Sequence, residues 1–292
     1  MTMKNAIITA CGLPDAMNDF SNTEQTRHFL DEDIGTGDLT AAIVPEYTVA
    51  GAEVMTREPM VVCGQAWFDA VFKGLDEGVA IDWREAEGKM VAAGTTLCKI
   101  SGRARALLSG ERTALNILQT LSATATLARQ YADAVAGTGC RVLDTRKTIP
   151  GLRLAQKYAV KCGGCDNHRM GLYDGILIKE NHIIAAGSIA SAVKQARSIS
   201  DVMVEVEVEN LQELQQAIAA KPDRILLDNF SLEDLSAAVA MRVGAIKLEA
   251  SGDIDLSNIR QVAETGIDYI SIGALTKNVA AINLSMRMQL EE

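Results

Sequence analysis

Val204-Glu205-Val206-Glu207-Val208-Glu209 runs into the amphipathic stretch Leu211–Ala219 and then into Ile225-Leu226-Leu227-Asp228-Asn229. A β-branched run, a helical stretch and a second apolar run make one parallel βα unit. The same rhythm extends in both directions from this point. Apolar runs at Val142-Leu143, Ile176–Ile178, Val202–Val208, Ile225–Leu227, Ala245–Leu248 and Tyr269–Ile272 alternate with amphipathic stretches. Those stretches are Leu152–Val160, Ile189–Ile199, Leu211–Ala219, Leu232–Ala240 and Leu256–Ala263. About six strands predict an incomplete parallel α/β barrel, smaller than the usual eight-stranded one. Upstream the rhythm is absent. Ala50–Arg57, Val79–Arg84 and Thr95–Ile100 read as strands of an antiparallel sheet, separated by turns containing Gly74, Gly78, Gly88 and Gly94. Leu107–Val135 reads as one long helix with leucines near helical spacing. The expected fold class is α/β, with an N-terminal α+β domain over residues 1–113 and a barrel domain over 114–275. Residues 276–292 are free to pack back on the first domain.

At 292 residues the chain can bury one large or two modest cores. It holds 28 Lys and Arg against 38 Asp and Glu, a net charge of −10, which argues against nucleic-acid or membrane-surface binding. Hydrophobic residues make up 48% and charged residues 23%, the balance of a globular protein with no bilayer-spanning run. Pro14, Asp15 and Asp19 interrupt the N-terminal stretch, which does not read as a signal peptide. Six scattered cysteines fit reduced thiols better than a disulfide framework, so a cytoplasmic location is expected.

Active sites of parallel barrels form where the strands end. The expected strand ends are Asp144-Thr145-Arg146-Lys147, Lys179-Glu180-Asn181-His182, Glu205/Glu207/Glu209, Asp228-Asn229, Glu249-Ala250-Ser251-Gly252 and Ser271-Ile272-Gly273. Asp228 or Ser251 alone would be explained as a helix cap. Polar groups at all six ends point to a functional mouth. Residues 141–180 hold eight Lys or Arg against four acids, a local excess of +4 inside an acidic protein. Such a cluster suits a small polyanion, with arginine forks matched to carboxylate or phosphate oxygens, although Arg153, Lys157 and Lys161 read partly as a solvated helix face. The strict Val-Glu alternation puts three glutamates on one strand face. With Asp228 they could hold Mg²⁺ or the hydroxyls of a sugar. Ser251-Gly252 and Gly273 would let backbone N–H groups approach a phosphate.

Other signals lead nowhere. No dinucleotide fingerprint and no P-loop is present. Cys162-x-x-Cys165-x-x-His168 has metal-like spacing but lacks a fourth ligand, so a zinc site is not expected. Cys11, Cys63, Cys98 and Cys140 read as core thiols. His182 either supports Lys179 or touches substrate.

Glu111-Arg112-Thr113-Ala114-Leu115-Asn116, Asp144-Thr145-Arg146-Lys147-Thr148-Ile149-Pro150-Gly151-Leu152-Arg153 and Asn167-His168-Arg169 resemble motifs of the quinolinate phosphoribosyltransferase family. Leu177-Ile178-Lys179-Glu180-Asn181-His182, Leu227-Asp228-Asn229-Phe230 and Ser271-Ile272-Gly273-Ala274 continue the match, which begins near Glu32-Asp33-Ile34-Gly35. The resemblance implies an α/β sandwich joined to an incomplete barrel. It also implies transfer of phosphoribosyl from phosphoribosyl pyrophosphate to quinolinate with decarboxylation and with Mg²⁺. Arg112, Arg146, His168, Arg169 and Lys179 would face the quinolinate carboxylates, with Lys147 between the two substrates. Glu207 and Asp228 would serve the ribose and Mg²⁺–pyrophosphate side, with Lys147 counted among the catalytic groups. Ser251, Gly252 and Gly273 would hold the 5′-phosphate, flanked by Thr148, Asp253, Ile272 and Ala274. Asp253 stands where many members carry a second glycine. The family's site forms between subunits, so a homodimer or larger assembly is implied, with Arg112 donated by the partner. Three alternatives stay open: a Schiff-base aldolase using Lys147 or Lys179, a non-catalytic anion sensor, and a relative associated with molybdenum transport.

Overall fold

The structure, a computed structural model, describes residues 15–290; Cys11 lies outside the described residues. It divides into two compact units. Met1–Leu127, Lys161–Gly163 and Val279–Glu292 form the first, and Ala128–Val160 with Gly164–Asn278 form the second. The boundary thus lies after Leu127, further along the long helix than the expected position at residue 113.

In the first unit, helix α1 (Asp15–Ile34) and a 3₁₀ turn (Ala41–Ile43) precede β1 (Val49–Thr56) and β2 (Met60–Val61). Next come α2 (Gln65–Leu75), β3 (Ala80–Trp83), β4 (Met90–Val91), β5 (Thr96–Arg103) and α3 (Ala104–Ala134). The last strand of the chain, β12 (Leu284–Leu290), completes an antiparallel sheet of order β12-β1-β5-β3. Along β1 the alternate residues Ala50, Ala52, Val54 and Thr56 are buried, as the period-two geometry of a one-face sheet requires. Trp67, Phe68, Val71 and Phe72 form the buried stripe of α2, and Phe68 meets Phe72 and Trp83 edge-on at 5.1 and 5.2 Å. Gly110 sits inside α3 because a Cβ there would lie 2.8 Å from the Phe72 ring. Neither α1, α2 nor β12 was expected as an element.

The second unit carries the parallel strands β6 (Arg141–Leu143), β7 (Ile176–Ile178), β8 (Val204–Val208), β9 (Arg224–Asp228), β10 (Lys247–Ser251) and β11 (Tyr269–Ser271). Their order is β6-β11-β10-β9-β8-β7. The sheet therefore curls round until β11 meets β6, and it stays open between β6 and β7. Residues 165–166 run beside β6 at that opening, where Asp166 bridges Leu143 in parallel and exchanges backbone hydrogen bonds with Val142 and Asp144. Helices α4 (Arg153–Gly163), α5 (Glu180–Ala186), α6 (Ile189–Ile199), α7 (Leu211–Ala220), α8 (Leu232–Met241), α9 (Ile259–Glu264) and α10 (Ala274–Lys277) connect the strands. Ser188, Asn210 and Ser231 cap α6, α7 and α8 by accepting the backbone N–H three residues on. These caps explain the crisp strand-to-helix punctuation legible in the sequence.

Candidate active site

Valines 204, 206 and 208 of β8 are buried on one face, and its glutamates form a graded series on the other. Glu205 is fully buried, Glu207 is half-buried and Glu209 is exposed beyond the strand end. One strand face therefore runs from the barrel interior to its rim. The rim is where the groups expected to meet ligands collect.

The loop after β6 is held on several sides. The Lys147 backbone N–H donates to Thr145 Oγ1 at 3.1 Å, and Thr276 Oγ1 donates to the Lys147 carbonyl at 2.9 Å. Buried Gln156 accepts from Ile149 N–H at 2.8 Å and donates to the Thr276 carbonyl at 2.8 Å, so one side chain joins the loops after β6 and β11. Arg153 donates to Thr148 Oγ1 and to the Arg146 and Met170 carbonyls. Its role is to brace the loop. A Cβ on Gly273 would stand 3.1 Å from Lys147 Cδ, so the glycine leaves the lane in which that lysine lies. Lys147 is exposed at the mouth, whereas the Ile272 side chain is buried and offers a ligand only its backbone.

Arg146 and Arg169 come together on one side of the rim. Arg146 Nε is buried with no hydrogen-bond partner among the described residues. Burial first, and the nearby Arg146 charge second, lower the Arg169 guanidinium below its ordinary value. Arg169 is steadied by a 3.0 Å hydrogen bond to the Gly175 carbonyl. On the other side, Lys179 pairs with Glu207, and the His182 ring accepts the Lys179 backbone N–H at 3.0 Å. His182 thus supports Lys179. Burial raises the Asp228 carboxyl, the adjacent Glu207 charge raises it further, and Lys179, Lys147 and Asn229 oppose the shift. The expected set Lys147, Lys179, Glu207 and Asp228 is a real cluster. Beside it, the Asn229 backbone N–H donates to the Ser251 carbonyl at 2.8 Å, and a Cβ on Gly252 would collide with Asn229 Oδ1 at 2.0 Å. Only glycine fits there, and its φ of 98° agrees. Asp253 follows with φ 45° and an exposed side chain. Arg112 belongs to the first unit, where it is exposed on α3.

Two expectations change. Lys157 is fully buried rather than part of a solvated face, and it pairs with buried Asp144. Asp144 also accepts from the His168 backbone N–H at 2.9 Å and from Asn167 Nδ2 at 2.6 Å. This aspartate therefore anchors the segment at the barrel opening and does not present its carboxylate at the mouth. Second, the His168 ring turns inward. Its Nδ1 accepts the Arg169 backbone N–H at 2.8 Å, and its Nε2 lies 2.8 Å from Glu205 Oε2. Nδ1 is committed to the backbone and Nε2 lies against Glu205, and burial lowers the imidazole's affinity for a second proton. Cys162 faces the Val62 carbonyl and Cys165 the Ala128 carbonyl, so the Cys162/Cys165/His168 spacing has separate uses. Sequence reading missed the interior partner Arg224 and assigned Glu249 to the rim, whereas Glu249 is fully buried; their pairing across neighbouring strands leaves no local spacing signal.

No helix among the described residues is long and apolar enough to cross a membrane. Residues 38–122 match the N-terminal domain and residues 124–287 the C-terminal domain of quinolinate phosphoribosyl transferase. A probable nicotinate-nucleotide pyrophosphorylase (carboxylating) of Bacillus subtilis is 41% identical over 276 residues, covering 94% of this chain and 96% of that protein. The enzyme of the same description from Mycobacterium leprae is 40% identical over 89% of this chain and 94% of its own length. Among solved structures, the nicotinate-nucleotide pyrophosphorylase of Francisella tularensis superposes with a TM-score of 0.89 at 47% identity, covering 95% of this chain and 98% of that one. With both domains matched in order, and relatives of this identity alike from end to end, the chain belongs to the quinolinate phosphoribosyltransferase family.

Proposed function

We propose that this chain transfers the phosphoribosyl group of phosphoribosyl pyrophosphate to quinolinate and releases CO₂, giving nicotinate mononucleotide and pyrophosphate for NAD biosynthesis. The observation that carries this reading is the Arg146–Arg169 pair, two adjacent guanidinium groups of which one has a buried nitrogen without a partner. Like charges held together in a part-buried site are stabilised by an anion with two carboxylates, and quinolinate is a dianion. Lys179 and the partner's copy of Arg112 complete that side. The other side takes the donor: Glu207 and Asp228 receive the ribose hydroxyls, and Ser251, Gly252 and Gly273 receive the 5′-phosphate.

Glu207 and Asp228 offer hard oxygens at the rim, and the burial and the Glu207 charge that raise Asp228 support a cation there. They fit Mg²⁺ held jointly with substrate oxygens, where it would neutralise charge on the leaving pyrophosphate. The chain's own residues orient the reactants. Arg146 and Arg169 fix the pyridine ring so that its nitrogen faces the anomeric carbon, and Lys147 stands between the two sites. Positive charge develops on the ribose as pyrophosphate leaves, and the Glu207 and Asp228 carboxylates are placed to stabilise it. The pyridinium nitrogen then stabilises the carbanion left when the neighbouring carboxylate departs as CO₂. No covalent nucleophile is needed.

Assembly as a homodimer is part of the proposal, supported by Arg112 and by the exposed apolar side chains Leu39, Ile43 and Tyr47 of the first unit. The bacterial relatives and the absence of disulfides among the described cysteines suit a cytoplasmic location. The test is release of labelled CO₂ together with nicotinate mononucleotide when the protein meets quinolinate, phosphoribosyl pyrophosphate and Mg²⁺. Product is expected only with all three present. Turnover without Mg²⁺ overturns the metal assignment, and no product overturns the reaction. Mixing Arg112→Ala with Lys179→Ala protein should restore partial activity through hybrid dimers. No recovery after demonstrated subunit exchange overturns the shared site.

A further inference from the structure

The interior of the barrel holds charges that the reaction does not use. Glu205 on β8, Arg224 on β9 and Glu249 on β10 surround the inward-turned His168 ring, and both glutamates are fully buried. Arg224 donates to Glu249 Oε2 at 2.7 Å, lies 4.0 Å from Glu205 Oε1 and stacks 4.4 Å from the centre of the Tyr269 ring. His168 Nε2 is 2.8 Å from Glu205 and 3.7 Å from Glu249. Among the described residues, Glu205 Oε1, Glu205 Oε2 and Glu249 Oε1 nonetheless lack a partner of hydrogen-bond geometry, the His168 Nε2 contact with Glu205 being close in distance only. Buried acceptors are rarely left so, because desolvation without a bond is costly. Oxygens of the two carboxylates lie within 4.8 Å of each other and of a His168 nitrogen, so as two carboxylates the pair is acceptor facing acceptor. A single proton turns that contact into a hydrogen bond.

Charge counting reaches the same point. The Arg169 backbone N–H occupies His168 Nδ1, so the ring's own proton sits on Nε2 and the imidazole is neutral. Inside the barrel two buried carboxylates face the single guanidinium of Arg224, an excess of one negative charge that Arg169 offsets only from the rim. A divalent cation would overcompensate beside Arg224, whereas one proton balances it. Glu249 is the carrier the geometry favours. Its Oε2 accepts from Arg224, which leaves Oε1 to hold the proton, while the Arg224 and Arg169 charges favour ionised Glu205.

We propose that Glu249 works as a neutral carboxylic acid donating to Glu205 inside the barrel, a positioning residue that holds Glu205 against His168 and thereby fixes the segment presenting Arg169 at the rim. Burial and the neighbouring Glu205 push the Glu249 carboxyl up to about 7, with His168, Arg224 and Ser271 opposing the shift. The chain of contacts is short: Glu249 to Glu205, Glu205 to the His168 ring, and the ring's Nδ1 to the backbone of Arg169 itself. Asp144 and Lys157 hold the same segment from its other side, through the His168 N–H and carbonyl.

Two readouts test this. Isotope-edited infrared difference spectra at pH 6, with ¹³C-labelled glutamate, should show a carboxylic-acid C=O stretch in the native protein that Glu249→Gln lacks. This readout does not depend on activity. The second rests on Arg169 reading a quinolinate carboxylate, as proposed above. Glu249→Gln, a neutral isostere, should keep the KM for quinolinate within about threefold, and Glu249→Leu should raise it at least tenfold with the KM for phosphoribosyl pyrophosphate nearly unchanged. If Glu249→Leu does not fold, the Gln variant and the infrared band decide alone. The proposal is overturned by absence of the acid band, by a stoichiometric metal that leaves with Glu249→Gln, or by a folded Gln variant whose quinolinate KM rises tenfold. An intact acid band with no effect of Glu249→Leu on quinolinate would overturn the positioning role alone.

Discussion

The inside of the barrel and its rim are built from the same residue types and treat them in opposite ways. Inside, Asp144 has Lys157, Glu205 faces His168, and Arg224 has both Glu249 and the Tyr269 ring. At the rim, Arg146 keeps a buried nitrogen without a partner, Lys147 is exposed, and Asp228 is crowded by a like charge. Interior charges face protein groups of opposite sign, with a proton on Glu249 proposed to complete the balance, and build the scaffold. At the rim, apart from the Lys179–Glu207 pair, charges are left for a ligand to match, which is how a binding site differs from a structural network. Removing an interior charge should therefore harm stability first, and removing a rim charge should harm binding first.

The largest effect is expected for Asp144→Ala. It leaves the Lys157 ammonium fully buried and takes away the acceptor of the His168 and Asn167 donors. Breaking one side of a buried pair costs about 3–5 kcal/mol, so the unfolding midpoint in urea should fall steeply. A variant of native stability would show that this pair is not the anchor described. The interior also predicts a pH dependence. The Glu249 carboxyl sits at about 7 in the fold against an ordinary 4.5, so the folded state binds the extra proton between those values. Stability should then fall as pH rises from about 4.5 to about 7, by roughly 3 kcal/mol at most, and Glu249→Gln should flatten that slope. Urea unfolding of both proteins at pH 5 and pH 8 measures the difference.

Rim substitutions should invert the pattern. Arg146→Ala removes one or two charge-assisted hydrogen bonds worth about 1.5–3 kcal/mol, a loss of roughly one to two decades in quinolinate affinity by calorimetry. The unfolding midpoint should hardly move, since Arg146 Nε has no protein partner to lose. Affinity for phosphoribosyl pyrophosphate should be nearly intact. Unchanged quinolinate binding would break the comparison at its centre.

The two regions were not equally legible in the sequence. The barrel strands appear within two residues of their expected bounds except at the end of β10, which runs three residues further to Ser251, because each βα unit is a local pattern closed by its own cap, as at Asn210 and Ser231. The rim was readable in part, since strand ends are positions in sequence, but Asp144, His168 and Glu249, expected at the mouth, turn inward. Interior pairings were not readable. Glu205 finds Arg224 and Glu249 only because β8, β9 and β10 lie side by side in register. The inward turn of His168 likewise depends on residues 165–166 running beside β6. In the first unit, α2 packs a stripe of four buried apolar residues between Gly64 and Gly74, too short for its period to stand out from the flanking strands. The alternation of Leu284, Met286, Met288 and Leu290 in β12 was visible, but its partner β1 lies at the far end of the chain.

The smallest effect should come from Asp253, where the rim tolerates strain and a misplaced charge together. Its φ of 45° is left-handed, a conformation aspartate accepts better than most residues and glycine accepts freely. Asp253→Gly should relieve about 1 kcal/mol of backbone strain and lose a similar amount through greater freedom of the unfolded chain. Net stability should stay within about 0.5 kcal/mol of native, and the Asn258 Nδ2 hydrogen bond to the 253 carbonyl does not need the side chain. The carboxylate is another matter. It is exposed next to Ser251-Gly252, where the 5′-phosphate is proposed to sit, and a screened like charge a few ångströms away opposes binding by up to about 1 kcal/mol. Asp253→Gly should therefore tighten phosphoribosyl pyrophosphate about two- to fivefold at low salt. The gain should shrink in 0.5 M salt and leave quinolinate affinity unchanged. A gain that salt does not reduce would assign the effect to loop conformation, and no gain at low salt would place the phosphate away from this turn.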